Sequence, residues 1–237
     1  MLVAPVVNAL SADAATVSAP ALPALGLFSA GHAQSNSLYS GYYENLVGAD
    51  TLTSTFTVPT VKCTNKSTWG TDVGLLGLMN SSNGQIEHGG GVEVGCSTLT
   101  GTPTYAGALC DPNFSAGCGA LADPVAPGDV VQVTVSAADG CAPTCASVSV
   151  TVTDSTADWT ESWTGSSQSD FDTFVAVVGS PPVPAFGKVQ VTGVTINGSG
   201  FDGQRFNLVD HSGRTLARAS ALSKGHTTFN VRWLAAS

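Results

Sequence analysis

Charge is scarce in this chain. Of 237 residues, 8 are Lys or Arg and 17 are Asp or Glu. The few cations, such as Lys62, Lys66, Lys188 and Arg205, stand singly. No basic stripe can neutralise phosphates, so nucleic acid is not an expected partner. Helical periodicity is missing too: nowhere does an apolar i, i+3, i+4, i+7 pattern last three turns. No apolar run approaches the roughly 20 residues of a membrane span. Cys-x-x-Cys pairs and zinc-finger His spacings are absent, so no metal is expected. The glycine run "HGGGVEV" lacks the Lys-Ser/Thr and the following helix of a phosphate loop, which makes it a bulge or a strand crossing. "HGGG" also occurs in lipase oxyanion loops, but the chain has no G-x-S-x-G elbow. No cofactor is implied.

What is present reads as β structure. Apolar residues make up 43% of the chain, enough for a core. From residue 38 the period is near two: "TLTSTFTVP" (51–59), "DVVQVTVSA" (129–137), "ASVSVTVTD" (146–154), "GKVQVTGVTI" (187–196) and "TTFNVRWL" (227–234) alternate apolar with Thr, Ser or Gln. "APGD" at 126, "ADG" at 138, "NG" at 83 and 197 and "SG" at 212 separate such runs. Ten or so strands with short connections predict an all-β fold, a two-sheet antiparallel sandwich. Residues 35–237 are expected to form one domain.

Residues 1–34 differ. They are rich in Ala, Val, Leu and Pro, with no Lys or Arg and one acid, Asp13. Pro5, Pro20 and Pro23 interrupt them, and the positive start of a secretory signal is missing. Two expectations stand: a leader ending near Ala33, or an extended arm that adds a strand to a neighbouring subunit.

The six cysteines suggest disulfides and an oxidising compartment, hence a secreted protein. Cys141 and Cys145 bracket a Pro turn and Cys110 and Cys118 are similarly close, which leaves Cys63 with Cys96; sequence alone leaves the connectivity open. Glycosylation sequons stand at Asn65, Asn80, Asn113 and Asn197.

Polar chemistry concentrates in "NGQIEHGGGVEVGC", residues 83–96, where Gln85, Glu87, His88 and Glu93 lie within nine residues. The stretches around it form a set. "YSGYYENLVGADTLTSTFTVPTVKC", "WGTDVGLLGL", "QIEHGGGVEVGC", "PTYAGALC", "APGDVVQVTV", "DSTADWTESWTGSS", "VPAFGKVQVTGVTINGSG" and "FNLVDHSGRTLARASALSKGHTTFNVRW" follow one another. In this order they resemble the glutamic peptidases (eqolisins) over about residues 38–235. The resemblance implies an eqolisin-like sandwich of concanavalin or jelly-roll type, with a site on the concave face of one sheet. It also implies acid peptide hydrolysis by a Gln and a Glu on neighbouring strands, the Glu as general base and then acid, the Gln amide donating to the oxyanion.

Carried over residue by residue, the resemblance places His88 at the Gln position and Thr173 at the Glu position. Gln85 is three residues early and would need a bulge or register slip to reach the site. Asp172 stands one residue off and should face the other way, with Phe174 and Val177 at the aromatic and second acidic positions. Leu76 replaces an Asp, and of the family's aromatic hairpin Tyr105 is kept.

Three functions follow. The first is a secreted β-sandwich that has lost peptidase activity and serves assembly or binding, its arm joining copies of itself. The second is a divergent acid endopeptidase using His88 with Glu87, Glu93, Asp170 or Asp172. The third is a polysaccharide binder using Trp159, Trp163 and Tyr105 as stacking platforms. Beside these stand plainer readings: His88 as a solvent-facing strand residue, His211 and His226 as solvated turn residues, and Asp154, Asp158, Glu161, Asp170 and Asp172 as a solvated acidic face.

Overall fold

A computed structural model describes residues 33–37, 39–44, 51–63, 71–80, 86–97, 99–111, 118–137, 145–167, 171–178 and 184–235. The first half of the chain supplies Gln34–Asn36 (β1), Tyr39–Glu44 (β2), Thr51–Thr57 (β3), Thr71–Asn80 (β4), Ile86–Cys96 (β5), Pro103–Cys110 (β6) and Cys118–Ala120 (β7). The second half supplies Val130–Ala137 (β8), Cys145–Asp154 (β9), Trp159–Ser167 (β10), Phe171–Val178 (β11), Lys188–Ile196 (β12), Gln204–Val209 (β13), Thr215–Ala219 (β14) and Phe229–Trp233 (β15). No helix occurs among the described residues, and the all-β expectation holds. The five alternating stretches quoted above become β3, β8, β9, β12 and β15. Residues 1–32, most of the arm or leader, lie outside the described residues.

Alternation in sequence becomes alternation in burial. In β3, Leu52, Ser54 and Phe56 are buried while Thr51, Thr53 and Thr55 are half-exposed. Val131, Val133 and Val135 of β8 and Val148, Val150 and Val152 of β9 point inward in the same way. Each fully buried side chain of this kind contributes about 1.5 kcal/mol or more.

The strands pair along one path, β10-β9-β8-β3-β12-β15-β14-β13-β2-β11-β4-β5-β6-β7, with β1 alongside β13. The sandwich is thus one hydrogen-bonded sheet doubled over near β13 and β14, so that β5 packs on β8 and β9 and β4 on β3. The main core lies between the two layers, from Tyr42, Leu52 and Phe56 to Phe229 and Val231. A second cluster joins Tyr39, Tyr43, Leu75, Cys110 and Phe206.

The glycine run sits inside β5. A Cβ at Gly90 would meet Val152 Cγ2 at 2.6 Å and Val133 Cγ1 at 3.3 Å, so glycine lets this strand lie close against the facing layer. The bulge expected there is on the neighbouring strand: β4 slips register between Val73 and Leu76, and Gly74 adopts φ +63°. Disulfides join Cys63 to Cys96 and Cys110 to Cys118. Cys141, on which the Cys141–Cys145 expectation depends, lies outside the described residues, as do Asn65 and Asn113.

Candidate functional site

Parity decides where His88 points. On β5 it shares a side with Gly90, Val92, Val94 and Cys96, the side that meets β8 and β9. His88 is accordingly 0% exposed. This corrects the reading of His88 as a solvent-facing strand residue: an even spacing to Val92 and Val94 carries it into the interior.

Two partners define its surroundings. The imidazole stacks on the Trp163 indole of β10, with ring centroids 5.2 Å apart and planes at 20°. On β6 the register Gly89↔Cys110 runs on to place Asp111, immediately after the strand, across from His88. Asp111 is itself buried, at 2% exposure. Burial pushes the His88 pKa down, while the nearby charges of Asp111 and Glu87 oppose that shift. Removing an imidazolium from water outweighs what the two carboxylates return, so the neutral ring is favoured.

The stack depends on Gly165. Two residues beyond Trp163 on β10, it lies beneath the indole, and a Cβ there would enter the ring. Trp159 makes a parallel closure two pleat repeats away. It packs at Gly107 and Leu121, and its indole N–H donates to the Pro124 carbonyl at 2.9 Å. The two tryptophans therefore close the side of the sandwich where the sheet's ends, β10 and β7, come round.

His88 and Thr173, the positions that the sequence resemblance sets at a Gln and a Glu, share one row across the sheet. Thr173 of β11 pairs with Leu78 of β4, and Leu78 pairs with His88 of β5. The resemblance implies neighbouring strands, but here β4 lies between, because it pairs with β11 along one edge and β5 along the other. Two strand spacings make this about 10 Å. On the far side of Thr173 the row continues to Glu44 of β2, whose carboxylate accepts from the Asp202 amide at 3.1 Å.

The remaining candidates scatter. Glu93 is exposed on the opposite face of β5. Glu87 is the extra residue of a bulge, since Leu78 pairs with His88 and Met79 with Ile86. Gln85 and Asp170 lie outside the described residues. Asp172 pairs in register with Met79. Tyr105 accepts from the Val61 amide at 2.9 Å through its phenol oxygen. Asp154 is buried, and its Oδ1 accepts from the Thr156 and Ala157 amides at 2.8 and 2.9 Å, which corrects its assignment to a solvated face. His226 contacts Asp202 at 3.4 Å in an exposed turn. Asn197 is also in an exposed turn, its side-chain oxygen accepting from the Thr51 amide at 2.9 Å. No group of three or more His, Cys, Asp or Glu side chains that could hold a metal occurs among the described residues.

Sequence reasoning missed Asp111 and the pairing of His88 with Trp163. Asp111 had a local signal, as the residue directly after Cys110. The tryptophan contact crosses between layers and had none.

In shape the chain is similar to the crystal structure of aspergilloglutamic peptidase from Aspergillus niger, at 18% identity over 77% of this chain and 99% of that one, with a TM-score of 0.47. No family model matches the chain, and no curated protein matches it.

Proposed function

We propose that this chain is a secreted, disulfide-bonded β-sandwich that does not hydrolyse peptides and serves an assembly or binding role outside the cell. The observation that carries this reading is the burial of His88, at 0% exposure beneath the Trp163 ring. A general acid, base or oxyanion donor must come within hydrogen-bond reach of the substrate, and this ring is covered. Thr173, matching the family's glutamate, is an alcohol and cannot serve as that carboxylate. The disulfides favour an oxidising compartment. Arm-mediated joining of copies remains part of the proposal.

The test is cleavage of denatured protein substrates at acid pH by the purified full chain. No cleavage above a blank is expected, either from the natural protein or from the variant His88→Gln. Cleavage by the natural protein that disappears in that variant would overturn the reading in favour of a His-dependent hydrolase. A sugar-binding reading is less favoured, because the Trp163 and Trp159 rings are engaged within the fold.

A further inference from the structure

The doubled sheet has two ends, and they are not alike. β7 has three residues and is tied to β6 by the Cys110–Cys118 disulfide, so it offers little edge. β10 has nine residues and, among the described residues, pairs with β9 alone. Natural edge strands are commonly guarded by Lys, Pro or extreme shortness. β10 has no Lys, Arg or Pro, and Glu161 is its one charged residue. Thr160, Glu161, Ser162, Thr164 and Ser166 are exposed along it. Trp159 and Trp163 anchor the strand from inside, so the edge is held extended rather than frayed.

We infer that β10 is an interface to a second copy of this chain, the two strands pairing antiparallel about a two-fold axis at Trp163. This rests on the assembly part of the reading above and adds a surface distinct from the arm. Trp163 is the middle residue of β10, so a two-fold there pairs all nine residues. Ser162 then stands opposite the partner's Thr164, and Thr160 opposite the partner's Ser166. The single charge, Glu161, meets the partner's Gly165. A two-fold at Glu161 would instead oppose two carboxylates, a destabilising cross-strand pair.

The outer face supports the same register. Three uncharged rows cross four strands: Thr160–Thr153–Gln132–Thr55, Ser162–Thr151–Thr134–Thr53 and Thr164–Ser149–Ser136–Thr51. Hydroxyls already bond between strands within them, Thr151 to Ser162 at 2.9 Å and Thr153 to Thr160 at 3.1 Å. Pairing Ser162 with the partner's Thr164 extends this pattern across the seam, and no charged group stands on these rows.

Sedimentation of the full chain over a concentration series tests the inference. The expected mass rises from 23.8 kDa to twice that value. In the variant Ser162→Lys/Thr164→Lys, two lysines oppose one another across the seam, and the mass should stay at that of one chain. In Ser162→Lys/Thr164→Glu, each lysine faces a glutamate and association should return. Backbone amides of β10 should gain hydrogen-exchange protection as the natural chain associates. A natural chain that stays at single-chain mass overturns the inference. So do two variants that behave alike, or association that leaves β10 amides unprotected, as contact through residues 1–32 would. Peptide cleavage would defeat the non-catalytic reading but would not change these masses, so the two failures are distinguishable.

Discussion

The His88 imidazole and the Trp163 indole lie nearly parallel, 5.2 Å apart, although one belongs to β5 and the other to β10 in the facing layer. The contact is a cross-brace between layers built from a titratable ring, and it couples the brace to pH. Burial holds the His88 pKa below its ordinary value of 6.5. The unfolded chain therefore binds the proton first. The stabilisation is fully present above pH 6.5 and is lost as pH falls from there toward the lowered folded pKa, with a limiting slope of about 1.4 kcal/mol per pH unit. Urea unfolding across this window should show that slope, and His88→Gln should flatten it.

Gly165 gives the brace its geometry. In Gly165→Ala the new methyl occupies the place of the Trp163 ring, which must swing off His88. Overpacking of this kind costs about 1–3 kcal/mol. The loss should appear as a lower denaturant midpoint with an unchanged m-value.

The two described disulfides should differ in what their removal costs. Cys63 and Cys96 are 33 residues apart, Cys110 and Cys118 are 8 apart. Loop-closure entropy then gives about 3–4 kcal/mol for Cys63→Ser/Cys96→Ser and about 2–3 kcal/mol for Cys110→Ser/Cys118→Ser. Unfolding free energies of the two double variants would test that order.

Tyr105 has a structural task. Its oxygen accepts from the Val61 amide, so Tyr105→Phe leaves that donor unsatisfied at a cost of about 1–3 kcal/mol. A lower melting temperature in the variant is the expected outcome, whereas a pure stacking platform would tolerate Phe.

Much of the sheet was legible because its outward face is Thr and Ser and its inward face is Val. In "TLTSTFTVP" and "ASVSVTVTD" every second residue declares a side, and the structure follows. The site was less legible for the same reason. His88 is a polar residue at an inward position, followed by three glycines that declare nothing. Only its spacing to Val92 and Val94 tells its direction. The Glu87 bulge hides parity further, since it breaks the count between Ile86 and His88. That β4 separates the rows of Thr173 and His88 is a fact of topology, fixed by pairings between segments far apart in the chain.

Those distant pairings also bear on how the molecule is made. Tyr43 of β2 lies between Phe174 and Gln204, and Phe56 of β3 between Val131 and Val191. The early strands thus wait for neighbours that emerge from the ribosome late in synthesis. Such high contact order places folding in the millisecond-to-second range or slower. Until the last third of the chain arrives, β2 lacks both its partners and β3 one of them, so the sheet can close only after nearly the whole polypeptide has been released.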